Sequence, residues 1–268
     1  MKKPAYMTWL VREDGVTIKD KIPLNCYRID YKYNDAVLDE WALHIRRNYI
    51  EDDILKESAD VNGMTVEDFL REYIIPQKGE TLGATARSGD IAEIIISDLI
   101  EFVFNYSVPR YKMKNRAGKN SSQQGTDIIA YKYYNSDKSP HEKDELVSIE
   151  VKAALTKKDY TPIEKAIIDA KKDEQRLART INYCRQRLNE LGKIDESNNI
   201  TRFLLKPDYN FKLISAAAGI SSKENIDQII ELGISGEDLV ISNNQMIFYV
   251  HGKQLMELAH NVYERCKR

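Results

Sequence analysis

Apolar residues recur at two different spacings along this chain, and the spacing changes from segment to segment. Residues 35–49 and the segment DIAEIIISDLIEFVF, residues 90–104, place apolar side chains at helical intervals. The runs TDIIAYKYY (126–134), ELVSIEVKAAL (145–155) and QMIFYVHG (245–252) are apolar and of strand length. Strands interspersed with helices predict an α/β protein whose mixed sheet is flanked by helices.

The first eighty residues are predicted to form a region of their own. Residues 6–19 predict a β-hairpin that turns at Asp14-Gly15, ahead of the helix at 35–49. A polar, glycine-containing stretch at 77–89 then precedes the next apolar helix. We therefore expect an N-terminal α/β region, residues 1–80, as a candidate for binding a partner, and a larger domain, residues 81–268.

The second half is expected to begin with one long helix. Its predicted span is Ile163 to Leu191, because Pro162 suits the first turn of a helix and Gly192 suits the position after its end. Downstream, the pattern predicts a loop at 194–200, strands at 201–206 and 210–218, and helices at 222–232 and 253–267.

Charged residues on two neighbouring strands carry the candidate chemistry. Glu150 and Lys152 lie two positions apart on one strand and therefore share a face. Asp127 opens the preceding strand, and a hairpin that turns near residue 140 places it opposite residues 150–153. The helix before the hairpin carries Glu93, a third carboxylate near the same place.

These groups suit metal-dependent hydrolysis of a phosphodiester. Carboxylates of Asp127 and Glu150, with Glu93 in support, are the oxygen ligands that Mg²⁺ or Mn²⁺ takes, and a bound metal activates water for attack. Lys152 is placed to stabilise negative charge in the transition state, and Glu93 to assist proton transfer. The predicted catalytic residues are thus Asp127, Glu150, Lys152 and Glu93. The predicted metal ligands are Asp127, Glu150 and Glu93.

Each of these features also has a plain structural alternative. A Glu-x-Lys triplet on a surface strand is often no more than a weak ion pair in solvent. Glu93 is expected in the first turn and a half of a helix that begins at Ser88 or Asp90, where the helix dipole favours a carboxylate. A run of basic residues precedes the Asp127 strand and consists of Arg110, Lys112, Lys114, Arg116 and Lys119. It is either a phosphate-contacting segment or an ordinary solvated loop.

The order of these motifs resembles a known superfamily. A helix with Glu93, a strand that starts at Asp127 and a strand with Glu150-Val151-Lys152 resemble the PD-(D/E)xK nuclease core, the restriction-endonuclease-like fold, although Thr126 stands where that pattern has proline. Over about residues 88–217, the segments SGDIAEIIISDLIE, VPRYKMK, QGTDIIAY, SIEVKAAL and FKLISAAA resemble the HamA family of the Hachiman anti-phage system. This resemblance implies a nuclease that works beside a helicase subunit, HamB, with Asp127, Glu150 and Lys152 catalytic and Glu93 in support.

Composition limits the kinds of DNA contact, metal site and cellular location that we expect. Lysine and arginine number 40 against 42 acidic residues, a formal net charge of −2, so DNA contacts must come from local patches or a partner. The three cysteines and four histidines are scattered along the sequence, which disfavours a disulfide framework, a structural zinc site and histidine-based metal ligation. A charged N-terminus and the lack of a long apolar run lead us to expect a soluble cytoplasmic protein.

The sequence thus predicts a metal-dependent DNase that is the effector of a Hachiman-like defence pair and acts with a helicase partner. Two alternatives stay open. A sequence-specific restriction-type endonuclease would need elements that read the major groove. A non-catalytic subunit that binds DNA or the helicase would carry the acidic site as a vestige.

Overall fold

The computed structural model describes residues 2–18, 22–114, 116–121, 125–156, 162–173, 176–204, 209–222 and 245–267. Its strands are β1 (Leu10–Glu13), β2 (Thr17–Ile18), β3 (Ile22–Pro23), β4 (Asn25–Ile29), β5 (Ile128–Lys132), β6 (Glu145–Ala154), β7 (Lys212–Ser221) and β8 (Met246–Gly252). Its helices are α1 (Asp35–Tyr49), α2 (Asp52–Val61), α3 (Val66–Phe69), α4 (Gly83–Phe102), α5 (Pro162–Asp173), α6 (Leu177–Glu190), α7 (Ile194–Thr201) and α8 (Leu255–Arg265). Short 3₁₀ turns span Ala5–Trp9 and Arg202–Leu204, and α3 continues into a π-helical turn, Leu70–Ile74.

Six of these strands form one mixed sheet in the order β1-β4-β8-β7-β6-β5. The four inner strands run parallel to one another, and β1 and β5 pair antiparallel at the two edges. β2 and β3 form a separate two-stranded ribbon. The prediction of an α/β protein with a mixed sheet flanked by helices is confirmed.

β6 is buried between two helical layers, which explains its long apolar run. On one face, Ile149 and Val151 belong to the core that includes Ile95 of α4. On the other face lies α5, whose Ala166 packs with Ala217 of the neighbouring strand β7. Because side chains alternate along a strand, Glu150 and Lys152 point away from the α4 core and towards the side of α5.

The first eighty residues share this sheet and this core. β4 pairs in parallel with β8, so a strand from each end of the chain meets at the centre of one sheet. Leu38 and Trp41 of α1 belong to the same buried cluster as Ile149 of β6. The two expected regions are therefore packed together, and their division into separate roles near residue 80 stays a prediction.

Helix α4 begins earlier than the sequence indicated. It starts at Gly83 rather than at Ser88 or Asp90, and a Cβ on Gly83 would lie 1.8 Å from the carbonyl oxygen of Gln77. Glu93 is consequently ten residues inside the helix, where the favourable N-terminal dipole has faded. Among the helices of the described residues, none has both the length and the apolar surface that crossing a bilayer requires.

Several other predicted elements were wrong. The hairpin of residues 6–19 does not form, because β1 pairs with β4 and β2 pairs with β3. The single long helix is two helices, α5 and α6, with residues 174–175 outside the described part of the chain.

Two short segments after α6 were also misassigned. Residues 194–200 belong to α7 rather than to a loop, and the predicted strand at 201–206 begins as the end of α7 and a 3₁₀ turn. Ile200 and Phe203, three residues apart, pack on Leu188 of α6, and so short a segment carries too few apolar residues to show a helical period. The predicted helix at 222–232 lies, except for its first residue, outside the described residues.

We predict that the shared core makes the chain unfold as one unit. Leu38→Ala removes a fully buried side chain of α1 and should lower the free energy of unfolding by about 2–5 kcal/mol. Trp9 and Trp41, the two tryptophans of the chain, report on the first region by fluorescence, while circular dichroism reports on every helix. Denaturant curves from both signals should coincide and shift together.

Leu43→Ala is the matched control, because Leu43 lies on the same helix but is 38% exposed, and it should change stability by no more than about 0.5 kcal/mol. A fluorescence transition that shifts in Leu38→Ala while the circular-dichroism transition stays in place would contradict a common core.

Candidate catalytic and metal centre

The pairing of β5 with β6 brings the predicted carboxylates together. Ile128 lies opposite Ile149, so Asp127 at the start of β5 faces Glu150 across the hairpin. The Oδ2 atom of Asp127 accepts a hydrogen bond of 2.8 Å from the backbone N–H of Val151. The main chain of one strand thereby orients the carboxylate of the other, and Asp127 lies opposite residues 150–153 as the hairpin predicted.

Lys152 is held between two carboxylates. Its ammonium donates to Oε1 of Glu150 and lies 3.2 Å from Oδ2 of Asp169 on α5. Burial lowers the pKa of Lys152, but the hydrogen bond and the charge of Glu150 outweigh it and raise the pKa above its ordinary value. Lys152 therefore stays charged at neutral pH.

Sequence reasoning missed Asp169 as a member of this group. The available signal was its position beside Ala166 and Ala170, which mark the face of α5 that packs on the sheet. An acidic residue at the border of that apolar stripe can reach a side chain of the strand below. The pattern does not reveal which strand lies there, and only the packing of α5 against β6 and β7 pairs Asp169 with Lys152.

Lys112 is the second ammonium in the centre. Its Nζ atom lies 2.6 Å from Oδ1 of Asp127 and 3.5 Å from Oε1 of Glu93, and its side chain is only 8% exposed. The sequence had placed Lys112 in a basic run that was either a phosphate-contacting segment or a solvated loop. In the structure its ammonium contacts two of the predicted metal ligands, Asp127 and Glu93.

The environment of Glu93 perturbs its proton affinity. The pKa of this carboxyl is raised to about 8, chiefly by burial; Lys112 and Arg116 oppose the rise, and the nearby charges of Asp127 and Asp90 add to it. Burial also lowers the pKa of Lys112, yet the charges of Glu93 and Asp127 leave it above its ordinary value. Glu93 thus carries a proton that is exchangeable near neutral pH.

The rest of the basic run is engaged in ion pairs along α4 and its surroundings. Arg110 contacts Asp98 at 2.6 Å and Glu101 at 2.7 Å, and Arg116 contacts Asp90 at 2.7 Å. The remaining two pairs are Lys114 with Glu51 and Lys119 with Glu80. All but Lys119 are buried or nearly so, hence the segment is not the solvated loop that was one expectation. Phosphate contact by these residues stays a prediction, and their placement lends it no support.

The donor set fits a hard divalent cation, although the ligands are not gathered around one point. Glu93, Asp127 and Glu150 offer carboxylate oxygens, the ligand type that Mg²⁺ and Mn²⁺ prefer. Among the described residues, these three do not lie within 4.8 Å of one another, and Lys112 stands between two of them. The close approach of its ammonium to both shows that this pair of carboxylates attracts a cation.

The class of this protein follows from the arrangement of its sheet. A mixed sheet flanked by helices, with an edge hairpin packed between α4 and α5, is the restriction-endonuclease-like fold. The HamA family model matches residues 4–266, and the chain belongs to the HamA family. It is therefore a component of the Hachiman anti-phage defence system. No curated protein matches the chain.

The family match confirms the resemblance seen in the sequence and extends it. The resembling segments cover about residues 88–217, whereas the family model also includes most of the first eighty residues. This extent agrees with the fold, in which β1 and β4 complete the same sheet.

We predict that Glu93 makes the stability of the metal-free protein depend on pH. Its folded pKa of about 8 exceeds the ordinary 4.5, so the unfolded chain releases this proton first and the folded state loses stability as pH rises between these values. Glu93→Gln removes the titration. In EDTA, the free energy of unfolding of the variant should rise relative to that of the wild type between pH 5 and pH 9. The expected rise is at least about 1 kcal/mol, the equivalent of roughly one pKa unit.

Denaturant unfolding at each pH measures this difference. Glu67→Gln, an exposed residue of α3, serves as the control and should track the wild type throughout. A constant offset between Glu93→Gln and the wild type across the whole pH range would contradict the raised pKa.

Proposed function

We propose that this chain is a metal-dependent DNase, the effector of its Hachiman system, and that it acts with a HamB-like helicase subunit. The observation that carries the proposal is the β5–β6 hairpin, which places Asp127 opposite Glu150 with Lys152 held on the same face. This juxtaposition unites two oxygen ligands and one fixed ammonium, groups that suit metal-assisted phosphodiester hydrolysis.

The residues divide the work by their chemistry. Asp127 and Glu150 would hold Mg²⁺ or Mn²⁺, with Glu93 as a third carboxylate, and the bound ion would polarise the phosphoryl group and acidify a water. The Val151 N–H fixes one oxygen of Asp127, which limits its rotation towards any other partner. Asp169 holds the ammonium of Lys152 in place, where it stabilises charge that develops on the scissile phosphate.

Lys112 places its ammonium among the candidate metal ligands. Buried carboxylates are costly unless they are paired, and without a divalent ion Lys112 pairs with Asp127 at 2.6 Å while Glu93, whose pKa is about 8, keeps a proton at neutral pH. A divalent ion that takes up these carboxylates must displace the ammonium or share the site with it. Metal binding is therefore expected to compete with the Lys112 ion pairs.

The near-neutral chain suits a division of labour with a helicase. The formal net charge is −2, and four of the five cations that were candidates for phosphate contact are buried or nearly buried in ion pairs. Firm attachment to DNA would then depend on the partner subunit, while this chain supplies the cutting site. Cleavage in the presence of the partner should accordingly exceed cleavage by the chain alone.

A cleavage assay tests the proposed site directly. Plasmid and linear DNA are incubated with Mg²⁺ or Mn²⁺ and the purified chain, alone and with the helicase subunit. Asp127→Asn, Glu150→Gln and Lys152→Met should each lower the cleavage rate by about 100-fold or more, because each removes a group that binds the metal or stabilises the transition state. Asp137→Asn and Glu142→Gln, exposed in the loop of the same hairpin, should cleave like the wild type.

The other outcomes of this assay are equally informative. Undiminished cleavage by both Glu150→Gln and Lys152→Met would overturn the assignment of the site. Absence of cleavage under every condition, with DNA or helicase binding intact, would favour the non-catalytic subunit. Discrete fragments from a long linear DNA would instead favour a restriction-type endonuclease.

Competition between Lys112 and the metal is testable without catalysis. Lys112→Met should bind Ca²⁺ or Mn²⁺ at least about tenfold more tightly than the wild type, a difference of about 1.4 kcal/mol, because the ammonium no longer occupies the carboxylates. The same variant should be less stable than the wild type in EDTA, since Asp127 loses the ammonium that lies 2.6 Å from it. Titration calorimetry measures the first effect and thermal unfolding the second.

Lys132→Met is the matched control, since Lys132 is an exposed lysine at the far end of β5. It changes the net charge equally and should leave metal affinity unchanged. Metal affinity that is unaltered or weaker in Lys112→Met would assign Lys112 to the positioning of Asp127 rather than to competition with the metal.

A further inference from the structure

A second cluster of metal-ligating side chains lies at the other end of the sheet, away from β5 and β6. Glu13 of β1, Cys26 of β4 and His251 of β8 come from three neighbouring strands. Their ligand atoms all lie within 4.8 Å of one another. We call these three residues the edge cluster.

Strand register places the members of the edge cluster on one face. Glu13 lies directly opposite Cys26 in the antiparallel pair β1–β4. His251 lies opposite Arg28, two residues beyond Cys26 in the parallel pair β4–β8. Because residues two apart share a face of a strand, Cys26, Arg28 and His251 project from the same side of the sheet.

The contacts within the edge cluster converge on one carboxylate oxygen. The Oε2 atom of Glu13 lies 2.9 Å from Nε2 of His251 and 3.6 Å from Sγ of Cys26. Cys26 and His251 are fully buried, whereas the side chain of Glu13 is 24% exposed. The cluster is thus closed on the protein side and reaches solvent through Glu13.

These ligand types and separations select for zinc. A thiolate, an imidazole and a carboxylate bind Zn²⁺ at about 2.0–2.3 Å, which requires donor atoms about 3–4 Å apart. The hard ions proposed for the catalytic centre avoid thiolate and imidazole. Charge also balances, because Cys26 as thiolate and Glu13 as carboxylate together neutralise one divalent ion.

Arg28 completes the surroundings of the cluster. Its Nε atom lies 3.3 Å from Oε1 of Glu13, whereas His251 and Cys26 contact the other oxygen, Oε2. The guanidinium therefore orients the carboxylate and leaves Oε2 for a metal, in the manner of the outer-shell partners that fix metal ligands.

We propose that Glu13, Cys26 and His251 bind one zinc ion, with a water or an external ligand in the fourth position. Binding forms a zinc–sulfur bond at Cys26 and releases the thiol proton to solvent. The ion would fasten the edge strand β1 to β4 and β8, and so join the two ends of the chain. This site is independent of the proposed nuclease function, and scattered cysteines and histidines had argued against it in the sequence.

Cobalt substitution tests the site with a signal specific to sulfur. Co²⁺ added to the metal-free full-length chain should give a near-ultraviolet band of thiolate-to-cobalt charge transfer that saturates with about one equivalent bound at the edge cluster. Zinc should remove the band by displacing cobalt. Cys26→Ser should abolish it, and Glu13→Gln and His251→Gln should weaken cobalt and zinc affinity at least tenfold.

The other two cysteines provide the controls. Cys184→Ser and Cys266→Ser alter buried thiols elsewhere in the fold and should keep the band. Glu13→Gln is the variant that disturbs the core least, because Glu13 is the partly exposed member of the cluster. Its denaturant curve in EDTA checks that the variant folds. A wild type that gives no band, or a band that persists in Cys26→Ser, would show that the edge cluster is only a hydrogen-bonded group.

Discussion

The register between β5 and β6 is the constraint on which the candidate catalytic centre depends. With Ile128 opposite Ile149, both of these residues face the α4 core, and Asp127 meets Glu150 on the opposite side. A shift of one residue would turn Glu150 and Lys152 into that core, where unpaired charges are costly. The hydrophobic pattern that folds the sheet therefore also assembles the site, and the same alternation of faces gathers the edge cluster at the other end.

A second constraint is the need to pair every buried charge. Asp90, Glu93 and Asp98 lie along one side of α4, and the basic segment runs antiparallel beside it, so that Arg116, Lys112 and Arg110 meet them in turn. Removing one member of such a pair leaves a buried charge without compensation, which makes the segment a rigid wall of the site rather than a flexible loop. Lys112 connects these ion pairs along α4 with the proposed metal ligands, because among the three cations it is the one that also contacts Asp127.

Together these constraints distinguish the proposed nuclease centre from the proposed zinc site. The candidate metal ligands Asp127 and Glu150 are paired internally with Lys112 and Lys152, so their charges are compensated without a divalent ion. The proposed zinc ion has the opposite character, since it would lock strands that hold the two ends of the chain together. One centre is thus built to exchange its cation and the other to retain it, which is consistent with carboxylate ligands in the first and buried sulfur and nitrogen in the second.

The sequence by itself determined the strands β5 to β8, the helices α1 and α8, and the order helix, aspartate strand, Glu-x-Lys strand, because these segments carry strong periodic patterns and contacts that are near in sequence. It misjudged short helices such as α7, and it left Asp169 and the true setting of Lys112 unseen. Only the tertiary structure decided that Glu13, Cys26 and His251 meet, and that the basic run pairs with α4 instead of solvent. Both cases have the same physical reason. Sheet order and helix packing bring together side chains that are more than 200 residues apart, or that lie on elements joined by irregular segments. No local pattern of polar and apolar residues encodes that order or packing.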